Sequence, residues 1–168
     1  RCLGYTPFRH VVTDLTEPVT HLTDPTLGWR NRPGSYRYKH YDRGEEDVKL
    51  TILRDGSRAT ADRPSQAATP TPGLIFLGGS FTRGTAISDT ETFAWKLQTR
   101  FSDTHVRNFG TGGYGTYQSL QLLESLPPAQ NIRAVIYGYI TEHRRRNVGG
   151  WQWLQVLSRY SRRGHVSL

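Results

Sequence analysis

The stretch LIFLGGS, residues 74–80, decides the fold prediction for this chain. Its four leading apolar residues form a short continuous run, which is typical of a parallel strand buried on both faces. Gly78 and Gly79 then break the strand, and Ser80 follows where a helix can begin. The stretch therefore predicts a buried strand whose carboxyl end presents a serine on a tight turn.

Two further short segments, VRNF at 106–109, which ends at Gly110, and the apolar AVIY at 134–137, predict two more strands. Helical patterns lie between the three strands: one opens with the capping box SDTE at 88–91 and continues with Phe93, Leu97 and Phe101 at near-helical spacing, and another covers residues 116–126. A last amphipathic pattern covers residues 151–160. Strands that recur about every 30 residues with helices between them are typical of βαβ units. The order therefore predicts a parallel sheet with right-handed crossovers.

The chain divides by composition into three parts. Residues 1–58 predict a small β-rich extension with turns, residues 59–73 form a proline-containing linker, and residues 74–168 form the α/β domain. The predicted fold class is α/β: a three-layer α/β/α, flavodoxin-like parallel sheet preceded by the β-rich extension. Because open sheets usually contain more than three strands, we expect this sheet to be incomplete, either truncated or completed by a partner.

Composition narrows the classes of partner. The formal net charge of +8 over 168 residues favours an anionic surface or polysaccharide. A solvated basic surface explains much of this charge, and no nucleic-acid-binding motif accompanies the arginines at 144–146, so no nucleic acid is expected. The single Cys2 and six dispersed histidines predict no metal site, and no cofactor is expected. No stretch approaches the roughly 20 apolar residues of a membrane span.

The candidate chemistry lies at the carboxyl ends of the predicted strands, where ligands of parallel α/β sheets bind. Residues 78–80, 110–115 and 138–143 follow the three strands in turn. A serine on such a turn, with backbone N–H groups beside it, suits a nucleophile whose reaction develops negative charge. The plain alternative is that Ser80 only caps a helix.

These three segments together resemble the conserved blocks of the GDSL/SGNH hydrolase superfamily. LGGSFTRG at 77–84 resembles the first block, and VRNFGTGGYGTYQ at 106–118 resembles the second with its strand. VIYGYITE at 135–142 occupies the place of the third, and SDTETF at 88–93 resembles the acidic stretch after the first. The resemblance covers residues 74–147. It implies a serine esterase with a flavodoxin-like fold.

The resemblance also implies residue roles. Ser80 would be the nucleophile and donate its N–H to the oxyanion, and Gly113 would donate a second N–H. Thr141 stands where the family usually has an asparagine, so its shorter hydroxyl would support the oxyanion. Gly79 replaces the aspartate that usually precedes the nucleophile.

The general base is the largest departure from the family. The Asp-x-x-His block that supplies it is absent, because His165 has no acid three residues before it. We therefore expect the base beyond Leu168, with His143, at the correct edge of the sheet, as the weaker candidate. Without a base this chain is expected to retain only residual activity.

The predicted function is hydrolysis or transfer of an acyl group through an acyl-enzyme on Ser80, with an ester-bearing substrate such as an acylated carbohydrate. The alternative is a non-catalytic SGNH-like module that binds a cell-envelope polysaccharide or serves as a scaffold. A lesser alternative is a dinucleotide site, because GTGGYG at 110–115 matches GxGxxG after a strand. By similarity to membrane-anchored members of the superfamily, the full-length protein is expected outside the cytoplasm.

Overall fold

The computed structural model describes residues 18–40, 46–62, 73–127 and 131–162. Cys2, His165 and residues 63–72 of the predicted linker lie outside the described residues. Among the residues that are described, no helix has the length and apolar character needed to cross a membrane.

A three-stranded parallel sheet contains the segments that the sequence predicted as strands. With the strands numbered in chain order, these are the fifth to the seventh: β5 (Gly73–Gly78), β6 (His105–Asn108) and β7 (Ile132–Gly138). Their order across the sheet is β6-β5-β7, with β5 hydrogen-bonded to both neighbours. The mixed α/β class and the parallel sheet are thereby confirmed, and the strand that leads to Ser80 lies in the middle.

Helices cover both faces of β5, which explains its unbroken apolar run. Phe76 packs with Ala94 of α2 (Phe93–Arg100) on one face. Ile75 and Leu77 pack on the other face, where leucines of α3 (Thr116–Ser125) join them. Successive strand residues point to opposite faces, so a strand covered on both sides needs apolar residues at every position.

The capping box at Ser88–Glu91 forms, but it begins a short 3₁₀ turn, Asp89–Glu91, rather than α2 itself. The hydroxyl of Thr92 then accepts a hydrogen bond from the Trp95 N–H and caps α2. Of the aromatic residues in the predicted pattern, Phe93 packs edge-on against the Phe76 ring, with 5.0 Å between the centroids. Phe93 and Phe101 are nevertheless 46% and 44% exposed.

The amino-terminal strands form two antiparallel pairs, in keeping with the predicted β-rich segment. β1 (His21–Asp24) pairs with β2 (Gly28–Asn31), and β3 (Gly34–Lys39) pairs with β4 (Asp47–Ile52). After β7 the chain forms the short helix α4 (Glu142–Asn147) and then α5 (Trp151–Arg162).

The amino-terminal strands pack directly against the α/β body. The indole N–H of Trp29 donates to the Gly112 carbonyl (2.8 Å), and the Tyr114 hydroxyl donates to the Trp29 carbonyl (2.5 Å). The start of the predicted linker is also part of this packing: Ala59 and Thr60 are buried, and Thr60 donates its hydroxyl to the Val106 carbonyl (2.9 Å). Residues 59 and 60, the first two of the predicted linker, therefore pack against the α/β body.

Candidate functional site

Ser80 is the first residue of α1 (Ser80–Arg83), directly beyond the carboxyl end of β5. Gly84, in the left-handed region at φ 78°, ends this single turn. The Ser80 side chain is partly buried. Neither its hydroxyl nor its N–H donates a hydrogen bond to any other group within the described residues. Both groups are therefore available to a ligand.

The segment after β6 lies against this turn. The Asn108 side chain is fully buried; its amide donates to the Thr82 carbonyl (2.9 Å), and its oxygen accepts from the Gly110 N–H (3.0 Å). The Thr111 N–H donates to the Gly78 carbonyl (2.9 Å). Gly110 also packs so closely on the α1 backbone that a Cβ there would overlap it. The second predicted segment thus holds the helix that begins at Ser80.

The segment after β7 contacts the same turn from the other side. A Cβ built on Gly79 would lie 2.9 Å from Arg146 Nη1 and 3.0 Å from His143 Nε2. Gly138, the last residue of β7, lies against the Thr82 hydroxyl, where it leaves no space for a side chain. All three strand ends therefore meet at the turn that includes Ser80.

His143 is fully buried, at 0% exposure. Its Nδ1 is hydrogen-bonded to the Tyr137 hydroxyl (2.5 Å), which in turn contacts the Thr116 hydroxyl (2.9 Å). Burial, and then the positive charge of Arg146, lower the pKa of His143 to about 4, against a smaller opposing effect of Glu142. His143 is consequently neutral at pH 7. Within the described residues its Nε2, which faces Gly79, has no hydrogen-bond partner.

Arg146 lies one turn after His143 on the same face of α4, because residues three apart are neighbours on a helix. Its Nη1 donates to the Tyr114 carbonyl (3.0 Å), and its guanidinium lies 5.0 Å from the ring centroid of Trp153. Burial lowers the pKa of Arg146. Arg146 and Tyr137 were not predicted as site residues. Arg146 could have been found because it follows His143 by three residues on the helix, whereas nothing in the sequence pointed to Tyr137.

Gly113 lies at the other side of this cluster. Its φ of 85° is in the left-handed region that favours glycine, and a Cβ there would come within 3.0 Å of the Trp29 and Trp153 rings. The Gly113 N–H makes no hydrogen bond within the described part of the chain. The next carbonyl, that of Tyr114, is 3.3 Å from a Cβ built on Gly79. The loop of Gly113 is thus packed beside the turn of Ser80.

Thr141 is placed differently from the other predicted site residues. It is exposed at the start of α4, and its hydroxyl donates to the Glu142 carboxylate (3.2 Å). No hydrogen bond within the described residues joins it to the turn at 78–80. Of the three residues 141–143, the buried one that faces the turn is His143.

The GTGGYG loop also bears on the dinucleotide alternative. The three glycines of its GxGxxG pattern face protein atoms: Gly110 the α1 backbone, Gly112 the Arg83 and His21 side chains, and Gly115 the Asn147 side chain. The glycine at the second position, which in a dinucleotide site lets the backbone approach the pyrophosphate, is therefore in contact with two side chains here. Within the described ranges, no group of three or more His, Cys, Asp or Glu side chains is arranged to hold a metal ion.

Comparison with known proteins adds no relative. The chain matches no model of a known protein family and no curated protein.

Proposed function

We propose that this chain is an SGNH-type serine hydrolase domain in which Ser80 attacks an ester carbonyl. The observation that carries the proposal is the meeting of all three strand ends at residues 78–80. The Thr111 N–H of the second segment donates to the Gly78 carbonyl, and His143 of the third segment faces Gly79. The Ser80 hydroxyl has no hydrogen bond to another described group, so no structural partner holds it, and the base that an attacking serine needs has still to be supplied.

The strand order supports a flavodoxin-like, three-layer arrangement. Counting β5 as the first strand, the order β6-β5-β7 is 2-1-3, with which the flavodoxin-like order 2-1-3-4-5 begins. In such sheets ligands bind where the order reverses, between strands 1 and 3. That position corresponds here to the ends of β5 and β7, where Gly78 pairs with Gly138.

In the proposed reaction the Ser80 Oγ forms a bond to the carbonyl carbon and gives its proton to a base. The N–H groups of Ser80 and Gly113, neither of them used within the described structure, stabilise the resulting oxyanion. Collapse breaks the ester C–O bond, and the alcohol leaves with the proton from the base. Water then cleaves the acyl-Ser80 bond and restores the serine.

The base in this proposal comes from outside the described residues. His143 is neutral at pH 7, as a base must be, but its Nδ1 is bonded to Tyr137 and its Nε2 is buried against Gly79. We therefore assign His143 to holding the turn. We also propose that the substrate is an ester such as an acylated carbohydrate and that the protein acts outside the cytoplasm. Both rest on the family resemblance.

Labelling with a fluorophosphonate tests the proposal, because this reagent reacts with activated serines. We expect a label on Ser80 by peptide mass spectrometry, lost in Ser80→Ala and retained in Ser102→Ala, which removes an exposed serine on another loop. Labelling of both variants at the wild-type rate would refute the assignment of Ser80.

A non-catalytic binding module is the second candidate, and the position of Thr141 favours it. The hydroxyl expected to support the oxyanion instead contacts Glu142 at the surface. A missing oxyanion donor typically lowers the rate about 10²–10³-fold. Because the base proposed above lies outside the described residues, labelling is also measured with added imidazole in its place. Absence of any fluorophosphonate label on a folded chain under both conditions would select this candidate.

A further inference from the structure

A groove between α4 and α5 adjoins the turn of Ser80. Its volume is about 440 Å³, and its lining includes Arg145 and Arg146 from α4 and Trp151 and Trp153 from α5. Trp151 is 73% exposed, which is unusual for the largest apolar side chain. A groove that combines an accessible indole with guanidinium groups has the composition of a ligand site.

Two residues of the groove connect it to the proposed reaction site. Arg146 extends from the groove to the Gly79 backbone, and the Trp153 ring extends to Gly113. Gly79 directly precedes Ser80, whose N–H is assigned to the oxyanion, and Gly113 itself carries the second N–H. If the ester of a substrate lies at Ser80, either its acyl part or its alcohol part would therefore lie in this groove.

We propose that the groove binds the alcohol side of the substrate and that this side is an acidic carbohydrate. The inference rests on the function proposed for Ser80. The flat indole of Trp151 suits the apolar C–H face of a sugar ring, and a guanidinium suits a carboxylate, to which it can donate two parallel hydrogen bonds.

The charges of the groove favour an anion. Arg145 is exposed, and the one hydrogen bond of its guanidinium within the described residues is a long contact to the Gln152 side chain (3.4 Å). Arg146 is held by Tyr114 and Trp153 and adds a second positive charge. The opposing charge is Glu142, whose carboxylate accepts from Thr141. The groove thus has one net positive charge, within a chain of net charge +8.

Binding of tetragalacturonate to the Ser80→Ala protein, followed by calorimetry, tests this inference, with uncharged maltotetraose as the matched ligand. We expect tetragalacturonate to bind at least about tenfold more tightly than maltotetraose. Trp151→Ala should weaken its binding about tenfold or more, since it removes the stacking surface. Arg145→Gln should weaken tetragalacturonate binding and leave maltotetraose unaffected.

Arg144→Gln is the matched control, because Arg144 is exposed on α4 and does not line the groove. Equal effects of Arg144→Gln and Arg145→Gln would mean that only general surface charge attracts the ligand, and would overturn the proposal. Equal binding of both sugars, or of neither, would also overturn it. The proposal would also be overturned if the protein bound n-octanol instead of the sugars and Trp151→Ala weakened that binding. The groove would then hold the acyl chain of the substrate.

Fluorophosphonate labelling of the wild-type chain separates this inference from the function on which it rests. A labelled Ser80 without tetragalacturonate binding would overturn the groove assignment and leave the esterase proposal standing. Binding without any label would overturn the esterase proposal, and with it the alcohol-side role of the groove.

Discussion

Replacing Arg58 by methionine should destabilise the fold more than any surface substitution, because this buried arginine joins β4 to the loop after α1. Its side chain is 0% exposed, and its Nε donates to the Asp89 carboxylate at 2.8 Å. Its remaining N–H groups donate to main-chain carbonyls of Lys49, Arg83, Gly84 and Ile87, at 2.5–3.3 Å. Two of these carbonyls belong to the end of the helix that begins at Ser80.

The magnitude follows from what the substitution leaves behind. Methionine fills much of the volume, but the Asp89 carboxylate, buried at 8% exposure, keeps the Thr51 N–H as a donor and loses its ion-pair partner, and several carbonyls lose their donor. Removing one partner of a buried ion pair costs about 3–5 kcal/mol. Because a domain of this kind is stable by only about 5–15 kcal/mol, Arg58→Met should bring the chain close to unfolding at room temperature.

Urea unfolding followed by tryptophan fluorescence measures this effect. The exposed Arg54, four residues earlier, is the matched control, and Arg54→Met should stay within about 0.5 kcal/mol of wild type. Adding Asp89→Asn to Arg58→Met should cost less than the two single changes summed, because the orphaned charge is removed with its partner. A loss below about 1 kcal/mol for Arg58→Met, at an unchanged m-value, would refute the reasoning.

Three further outcomes are expected from the site and its surroundings. Gly79→Ala should lower the free energy of unfolding by about 1–3 kcal/mol, because its Cβ would meet α4 side chains at 2.9 and 3.0 Å. Gly150→Ala, whose Cβ would lie 3.4 Å from its nearest neighbour, should be nearly neutral. Equal urea midpoints for the two variants would contradict this prediction. The folded-state pKa of His143, about 4, lies below its ordinary 6.5, so the folded state binds fewer protons between these values. Stability should therefore fall by up to about 3 kcal/mol as pH drops from 6.5 to 4, and His143→Gln should remove this loss; an unchanged acid dependence would be evidence against it. Tyr114→Phe should lower the stability measured by thermal unfolding by about 1–3 kcal/mol, because the main-chain carbonyl of Trp29 loses its donor. Tyr117→Phe, at an exposed tyrosine, is the control, and an equally neutral result for both variants would contradict the contact.

The parallel sheet was predictable because its signal is local. β5 and β6 were predicted to within one residue at each end. β7 is longer than its apolar run, Ile132–Gly138 against 134–137. Ile132 joins the strand because it pairs with Gly73, whereas the exposed Arg133 lies at a bulge in the register between Ile132 and Ala134.

The packing of the amino-terminal strands was not predictable in the same way. Most hydrogen bonds of Trp29, Asn31 and Arg58 join them to groups 25 to 85 positions away in the chain, such as the carbonyl of Gly110. The sequence does not distinguish a buried arginine from a solvated one, and charged residues are mostly exposed. The burial of Arg58 is explained by the Asp89 carboxylate and the carbonyls that surround it.

The sequence predicted which segments meet at this edge of the sheet but not which side chains face one another. The rule that ligands bind beyond the ends of parallel strands placed Ser80, Gly113 and residues 138–143 at one edge. Which of residues 141–143 faces the turn depends on where α4 begins and how it is rotated. The helix begins at Glu142, so Thr141 lies outside it at the surface, and His143 and Arg146 share the inner face.

Gly79 and the inner face of α4 are coupled by close packing. His143 Nε2 and Arg146 Nη1 occupy the space that a side chain at position 79 would need, and both atoms come within 3.0 Å of a Cβ placed there. A residue with a larger side chain, such as aspartate, could not occupy position 79 without displacing the imidazole or the guanidinium. The glycine before Ser80 therefore fits the residues of α4, and a neutral histidine and a cation support the turn.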